Sequence, residues 1–328
     1  MQLVGEAIIE DCGNYVMHVG RDCDTPLSST SRLILSFEKL VNLGEMFHAC
    51  GQAWRFLQFI TYRSQVRVDD ITAYWKDEEG RYFYNGVFLW GSLYSPAVPE
   101  EREIQPYEYV IPYDVLKSKA SDIFDVIDSG EMSFEHFCQT VSARSHYGTG
   151  TIIEILTDFE REYRNIFGTN SLRDDAFIKF RDGLVDECKQ KRESFHGKSK
   201  KWMQSFIRLL SNYDDLYVDR VLNTLRDCRD IMFPFLRKEY GSDSDDTLQE
   251  IAERSGQLRN DYAHNNLDIQ LEPAHFSDLK TLERLIYVIR LRQIGMEKTE
   301  VQKAINDLFH EKMVFEDMET TEPKEANQ

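Results

Sequence analysis

The sequence predicts an α+β protein in which an N-terminal mixed α/β domain precedes an all-α helical bundle. Short β-type runs occur only in the first half of the chain, and helical periodicity dominates from about Gly148 onward. A length of 328 residues, with 41% hydrophobic and 29% charged residues, is typical of a folded chain of two domains. We therefore predict domains at residues 1–147 and 148–312, followed by an acidic, disordered tail at 313–328.

The first half combines short strands with one amphipathic helix. Residues 43–62 repeat apolar side chains every three or four positions, which predicts a helix packed on a sheet. A Pro- and acid-rich stretch from Pro96 to Pro112 predicts an irregular connection. Asn85-Gly86, between two aromatic-rich arms, predicts the turn of a β-hairpin. The predicted strands are Ala7–Ile9, Tyr15–Val19, Arg32–Phe37, Ile71–Trp75 and Arg81–Trp90.

The second half carries helical patterns separated by short connections, which predicts an antiparallel bundle. The first of these helices shows one apolar stripe and ends at Gly168, a residue typical of helix C-termini. The predicted helices are Thr151–Phe167, Asp174–Glu193, Lys201–Asn212, Leu216–Phe235, Thr247–Tyr262, Phe276–Ile294 and Lys298–His310.

Composition excludes several classes of protein. No apolar run is long enough to span a membrane, and acidic residues near the start argue against a signal peptide. The six cysteines are widely spaced, without the spacing of a disulfide framework or a zinc site. We therefore expect a cytoplasmic protein with no membrane partner, no metal site and no cofactor.

A net charge of −18 argues against a nucleic-acid partner, but binding depends on local patches. One patch, residues 189–201, is basic, and its only acidic residue is Glu193. We call it the basic patch. We predict that it binds RNA; the alternative is that it is a solvated helix end. The predicted RNA-binding residues are Lys189, Lys191, Arg192, Lys198, Lys200 and Lys201.

Common catalytic motifs are absent from the sequence. No phosphate-binding P-loop, H-E-x-x-H zinc motif or G-x-S-x-G nucleophile elbow occurs. Gly148-Thr149-Gly150 begins a glycine fingerprint but lacks its third glycine, so we interpret it as a linker. Histidines outside the segment at 247–266, including His136, have no matched partner nearby in sequence and are interpreted as structural.

The informative segment is TLQEIAERSGQLRNDYAHNN, residues 247–266. Thr247 and Glu250 form a T-x-x-E pattern that predicts a capping box at the start of a helix. Arg259, Asn260 and His264 fall at its C-terminal end. On a straight helix Arg259 and His264 would lie about 140° apart, so fraying near His264 is needed to bring both toward one cleft.

The run Arg259-Asn260-Asp261-Tyr262-Ala263-His264 resembles the R-x4-6-H motif of HEPN domains. An opening helix with Glu160, Glu162 and Tyr163, and a long apolar helix after the motif, are similar to that family as well. The order of segments, with LSFEKLVNLGEMFHACGQAWRFLQFIT in the α/β part, resembles ApeA-type anti-phage HEPN proteins over residues 30–310.

The resemblance implies a metal-independent endoribonuclease of abortive-infection defence that cleaves RNA, with tRNA a candidate substrate. Arg259 would bind phosphate oxygens, His264 would act as acid or base, and Asn260 would orient either group. The resemblance also implies a homodimer with two motif copies at one cleft, and an N-terminal sensor domain that responds to a phage-derived trigger.

Three alternatives remain open at this point. Arg259 and His264 are also the cations expected near a helix C-terminus, where they meet the negative end of the helix dipole. The chain can be a catalytically silent HEPN bundle that dimerises or binds RNA. It can also be a structural interaction protein, which the strong acidity would suit.

Overall fold

The computed structural model describes residues 8–10, 32–34, 42–66, 72–76, 82–88, 109–168, 175–211, 216–264, 266 and 269–313. Helices dominate these residues. Their strands form two separate antiparallel ladders, β1 (Ile8–Glu10) with β2 (Arg32–Ile34), and β3 (Thr72–Lys76) with β4 (Tyr82–Phe88). The described part of the chain is therefore an all-α fold with two short isolated strand pairs, and the predicted α+β class with a mixed α/β domain is wrong. The predicted strand Tyr15–Val19, and the predicted tail beyond Met313, lie outside the described residues.

The predicted hairpin turn at Asn85-Gly86 is also wrong. These two residues lie inside β4, at the point where its pairing with β3 shifts register between Ala73 and Trp75. The connection between the strands lies instead at residues 77–81, outside the described part. Glycine within a strand is as typical of a bulge as Asn-Gly is of a tight turn, so local sequence alone does not separate the two.

The first helix explains why the predicted class fails. Helix α1 (Leu43–Thr61) begins with a capping box in which Glu45 N–H donates to Asn42 Oδ1 at 3.0 Å. Its apolar face was expected to cover a sheet. Phe56 instead stacks on Phe124, with ring centroids 4.8 Å apart, and Phe59 stacks on Tyr287 at 4.9 Å. An amphipathic stripe predicts burial but does not identify the burying element.

The second half consists of helices, as predicted. The predicted helix Leu216–Phe235 is two helices, because the backbone leaves helical geometry at Cys228 (φ −99°, ψ 8°). Gly168 ends its helix at φ 76°, as predicted. The helices after α1 are α2 (Tyr113–Leu116), α3 (Ala120–Ser129), α4 (Thr149–Phe167), α5 (Asp175–Arg192), α6 (Gly197–Ser211), α7 (Tyr217–Asp227), α8 (Arg229–Tyr240), α9 (Asp245–Ala263), α10 (Pro273–Gln293) and α11 (Lys298–Leu308), with 3₁₀ turns at Lys117–Lys119 and Ser142–Ser145.

Helix α10 forms the centre of the bundle. Its apolar side chains are buried on every side, against α4, α7, α8, α9 and α11. A helix that is buried on all sides is expected at the core of a large assembly of helices, and the buried charges of α10, such as Arg290, are paired there. The same hydrophobic core includes Phe59 of α1 and Ile123 of α3. The described residues on either side of the predicted boundary at 147–148 thus share one core, and the two-domain division stays a prediction.

Gly256 permits the close approach of α7 and α9. A Cβ atom at this position would lie 2.3 Å from Val218 Cγ2 of α7. We expect Gly256→Ala to lower the free energy of unfolding by about 1–3 kcal/mol in urea denaturation, because overpacking forces the helices apart. The control is Gly51→Ala in α1, where no atom lies within 4 Å. This control should gain about 0.5–1 kcal/mol from helix propensity, and an equal gain at Gly256 would contradict the tight contact.

Candidate active site

The helix that carries the R-x4-H motif is capped by a residue other than the predicted one. Thr247 N–H donates to Ser244 Oγ at 3.3 Å, which makes Ser244 the N-cap of α9. The predicted capping box at Thr247 and Glu250 is therefore wrong, and Glu250 pairs with Arg254 at 3.5 Å. The helix thus begins at Asp245, two residues earlier than predicted.

The C-terminal end of α9 lies at the motif, as predicted. The backbone leaves the helix at His264 (φ −94°, ψ 13°), whose N–H still donates to Asn260 O at 3.0 Å. The side chains of Asn260 and His264 are exposed, and neither makes a side-chain hydrogen bond within the described part of the chain. Both are therefore accessible to a ligand that approaches the helix end.

The motif arginine is held by a carboxylate from another helix. Arg259 Nη2 donates to Glu160 Oε2 of α4 at 3.3 Å. The other nitrogen atoms of its guanidinium donate to no described residue, and the side chain is 38% exposed. The salt bridge therefore fixes one edge of the guanidinium and leaves its remaining N–H groups able to bind an anion.

Two further arginines contact the same carboxylate. Arg220 Nη1 of α7 and Arg164 Nη2 of α4 each donate to Glu160 Oε1 at 2.8 Å. Arg220 is only 4% exposed, so its contact with Glu160 is shielded from water and weakly screened by salt. Glu160 thus connects α4, α7 and α9 and sets the position of Arg259.

Tyr217 forms an apolar wall behind this cluster. Its ring meets Phe159 edge to face, with centroids 5.6 Å apart. Burial, and then the negative charge of Glu160, raise the pKa of the Tyr217 hydroxyl well above its usual value. The hydroxyl finds no hydrogen-bond partner among the described residues. It is therefore a neutral group at this position rather than an acid or base at neutral pH.

Asp261 organises the chain just after the helix. Its carboxylate accepts from Gln257 Nε2 at 2.9 Å and from Asn266 Nδ2 at 3.2 Å, and its carbonyl accepts from Asn266 N–H at 2.9 Å. These bonds turn the chain back across the last turn of α9, so the exposed position of His264 has a local structural cause. Asp261 is not among the predicted site residues.

The structure places the basic patch on the α5–α6 hairpin. Lys189 pairs with Asp186, and both Arg192 and Lys200 pair with Glu193. The remaining residues of the patch, Lys191, Lys198 and Lys201, are exposed and have no acidic partner among the residues that the structure describes. Half of the predicted RNA-binding residues are therefore unneutralised.

A second cluster lies apart from the motif. His136 Nδ1 lies 2.8 Å from Asp158 Oδ2, and Ser133 Oγ donates to Asp158 Oδ1 at 2.6 Å. The residue types match a catalytic triad, but the connections do not, because a nucleophilic serine would have to contact the histidine rather than the aspartate. His136 and Asp158 are fully buried, so the cluster braces the segment before α4. The sequence interpretation missed this contact because 22 residues separate the partners.

One cavity of the described residues lies apart from the motif. A cavity of about 370 Å³ bordered by Arg144 and His310 includes none of the predicted site residues. No group of three or more His, Cys, Asp or Glu side chains within the described ranges has the arrangement of a metal site. None of the helices described here has both the length and the hydropathy required to cross a bilayer.

Comparisons of the chain with protein families, with curated proteins and with solved structures give no match.

Proposed function

We propose that the protein is a metal-independent endoribonuclease that acts through Arg259, Asn260 and His264. The observation that supports this most directly is the arrangement at the end of α9. A guanidinium is held by Glu160 on one edge and is free on the others, and an exposed histidine follows five residues later, where the helix ends. The HEPN-like motif gives the same residues the same roles.

The chemistry needs only groups that these residues supply. RNA carries its own nucleophile, the 2′-hydroxyl next to the scissile phosphate. A base removes its proton, O2′ attacks phosphorus, and an acid protonates the departing 5′-oxygen, which leaves a 2′,3′-cyclic phosphate and a 5′-hydroxyl. His264 suits either proton transfer near neutral pH, and Arg259 stabilises the charge of the phosphorane.

A homodimer is part of the proposal, because one copy of the motif offers few groups to hold a phosphate and to move two protons. Two copies of the motif at a shared cleft would allow the arginine of one subunit to work with the histidine of the other. Such an interface would use surfaces other than the large apolar side chains of α9, because these are buried inside the bundle.

The biological setting is proposed from the resemblance alone. The chain would act in the cytoplasm, without a membrane partner, as an abortive-infection effector, with a phage-derived trigger and tRNA as a candidate substrate. A catalytically silent RNA-binding or dimerisation module is the second candidate, and the Arg259–Glu160 salt bridge favours it, since that contact also suits a purely structural arginine.

Incubation with total RNA in EDTA distinguishes these candidates. The nuclease proposal predicts cleavage without added metal. Binding without cleavage would support the silent module. Neither binding nor cleavage would leave only a structural interaction protein.

RNA affinity should depend on the basic patch despite the net charge of −18. We expect Lys198→Glu/Lys200→Glu/Lys201→Glu to weaken binding for all RNA sequences, and to reduce the slope of log affinity against log salt by about 0.7 per lost phosphate contact. The measurement is fluorescence anisotropy across a salt series.

The matched control changes the charge of three exposed lysines elsewhere, Lys117, Lys303 and Lys312. It alters the net charge equally and should affect the affinity much less. Equal losses in the two triple variants would mean that only the global charge matters and that the patch is a solvated surface.

A further inference from the structure

Exposed apolar side chains of the described residues concentrate on the α5–α6 hairpin. In the rest of the described chain, the exposed large hydrophobic side chains are Ile153 and Leu216. On the hairpin, Trp202 is 69% exposed, Phe206 50% and Leu209 70%. The remaining exposed members of this group on the hairpin are Phe180 and Phe195. Such a cluster on one element indicates an interaction surface.

These side chains lie along one face of α6. At 100° per residue, Trp202, Phe206 and Leu209 fall within about 60° of one another, and Lys198 lies within about 40° of Trp202. Ile207, about 140° away, is buried against the hairpin. Helix α6 therefore uses one face to pack on α5 and presents the other to solvent. We call the face defined by Lys198, Trp202, Phe206 and Leu209 the α6 platform.

The charge of the hairpin is opposite to that of the chain. Residues 175–211 contain nine Lys and Arg and five Asp and Glu, although the whole chain carries −18. Lys198 lies on the α6 platform itself, and Lys201 lies about 100° from Trp202, beside it. Neither has an acidic partner in the described part. The surface thus combines aromatic rings with free ammonium groups, the combination that binds single-stranded nucleic acid.

We propose that the α6 platform stacks unpaired bases of RNA, an inference that rests on the proposed function and narrows its substrate to RNA with a single-stranded segment. The rings of Trp202 and Phe206 would stack on bases, while Lys198 and Lys201 contact the neighbouring phosphates. Along the helix these two rings are separated by a rise of about 6 Å, close to twice the spacing of ~3.4 Å between successive nucleotides. Bases inside a duplex have no exposed face to stack on.

Two other occupants fit less well. A helix that inserts into a lipid surface keeps its cations on the face opposite the apolar one, whereas Lys198 lies within about 40° of Trp202, at the edge of the exposed rings. A second copy of the chain would need an apolar patch to receive the platform. Outside the hairpin the described residues expose only Ile153 and Leu216 among large hydrophobics, and pairing two platforms would bring their lysines together.

The test replaces the rings with smaller side chains that are still apolar. Trp202→Leu/Phe206→Leu keeps two exposed apolar side chains on a helix, so the fold should be unaffected. The probe is a fluorescein-labelled oligoadenylate dodecamer with 2′-O-methyl groups, which lacks the nucleophile and cannot be cut. We expect its affinity to fall about 5- to 150-fold per lost base stack, and the affinity for a blunt RNA duplex to stay unchanged. The control, Leu209→Ala, should change either affinity less than about twofold, because leucine has no face for stacking.

The outcomes separate this inference from the proposed function. Single-strand affinity that survives the leucine substitutions overturns the platform, even if the wild-type protein cuts RNA. Binding to phosphatidylcholine–phosphatidylserine vesicles that survives the leucine substitutions overturns the platform in favour of a membrane. Self-association that is lost in Leu209→Ala overturns it in favour of a second copy of the chain. Ring-dependent single-strand binding by a protein that cuts no RNA supports the platform and refutes the nuclease.

Discussion

Replacing either motif residue should slow RNA cleavage, by about 10²- to 10⁴-fold in His264→Ala, which loses an acid–base group, and by about 10²- to 10³-fold in Arg259→Ala, which loses charge stabilisation. His264 is exposed and Arg259 partly exposed, so neither truncation opens a core cavity. The measurement is the rate of cleavage of a labelled RNA, with circular dichroism to confirm the fold. Full activity of a folded His264→Ala protein would end the catalytic assignment.

Arg164→Ala is the matched control for Arg259→Ala. It removes another guanidinium from the same Glu160 carboxylate, but from a residue outside the motif. We expect it to retain most of the activity. Equal losses in the two arginine variants would assign the effect to the salt-bridge cluster rather than to phosphate binding by Arg259.

Mixing the two inactive variants tests the shared cleft. If the working arginine and histidine come from different subunits, an Arg259→Ala/His264→Ala heterodimer keeps one intact pair and recovers activity. If they come from the same subunit, no mixture recovers. A monomer that cuts RNA at micromolar concentration would contradict the composite site.

Arg290→Ala should have the largest effect on stability. The Arg290 side chain is buried in α10, where Nε donates to Glu162 Oε2 at 2.9 Å and Nη2 donates to Glu131 O at 2.9 Å. Glu162 is buried as well and also accepts from Ser133 N–H at 2.6 Å. Removing the guanidinium leaves this carboxylate without its counter-charge, so we expect a loss of about 3–5 kcal/mol in the free energy of unfolding by urea.

The control is Arg292→Ala, two residues further along the same helix. The Arg292 side chain is 39% exposed and pairs with the exposed Asp227 at 3.0 Å. Its loss should cost about 1 kcal/mol or less. A cost at Arg290 no larger than at Arg292 would mean that water reaches Glu162 once the arginine is gone.

The helices after Gly148 were predictable because each must bury a row of apolar side chains, and the spacing of these residues is visible within a short stretch of sequence. The fold class was not. The apolar spacing of residues 43–62 predicts a buried helix face. Whether a sheet or other helices cover that face depends on residues far along the chain, here Phe124 and Tyr287. The Asn85-Gly86 turn failed for a related reason, because a bulge and a tight turn use the same residue types.

The candidate active site was predictable only where it depends on a short stretch of sequence. The motif residues, and the helix end that exposes His264, follow from the segment at 247–266. The contact between Arg259 and Glu160 does not follow from any local segment, because the two residues are 99 positions apart in sequence. The i,i+4 pair of Glu160 with Arg164 is visible in the sequence, but nothing local shows that Arg220 and Arg259 join it.

The proposed mechanism requires that Arg259 and His264 cut RNA through its own 2′-hydroxyl. The most direct measurement is mass spectrometry of the ends of RNA treated in EDTA with the wild-type protein and, in parallel, with His264→Ala. We expect 2′,3′-cyclic phosphate and 5′-hydroxyl ends with the wild type and no new ends with the variant. Cleavage that requires added magnesium and leaves 3′-hydroxyl ends, in both proteins alike, would contradict the account.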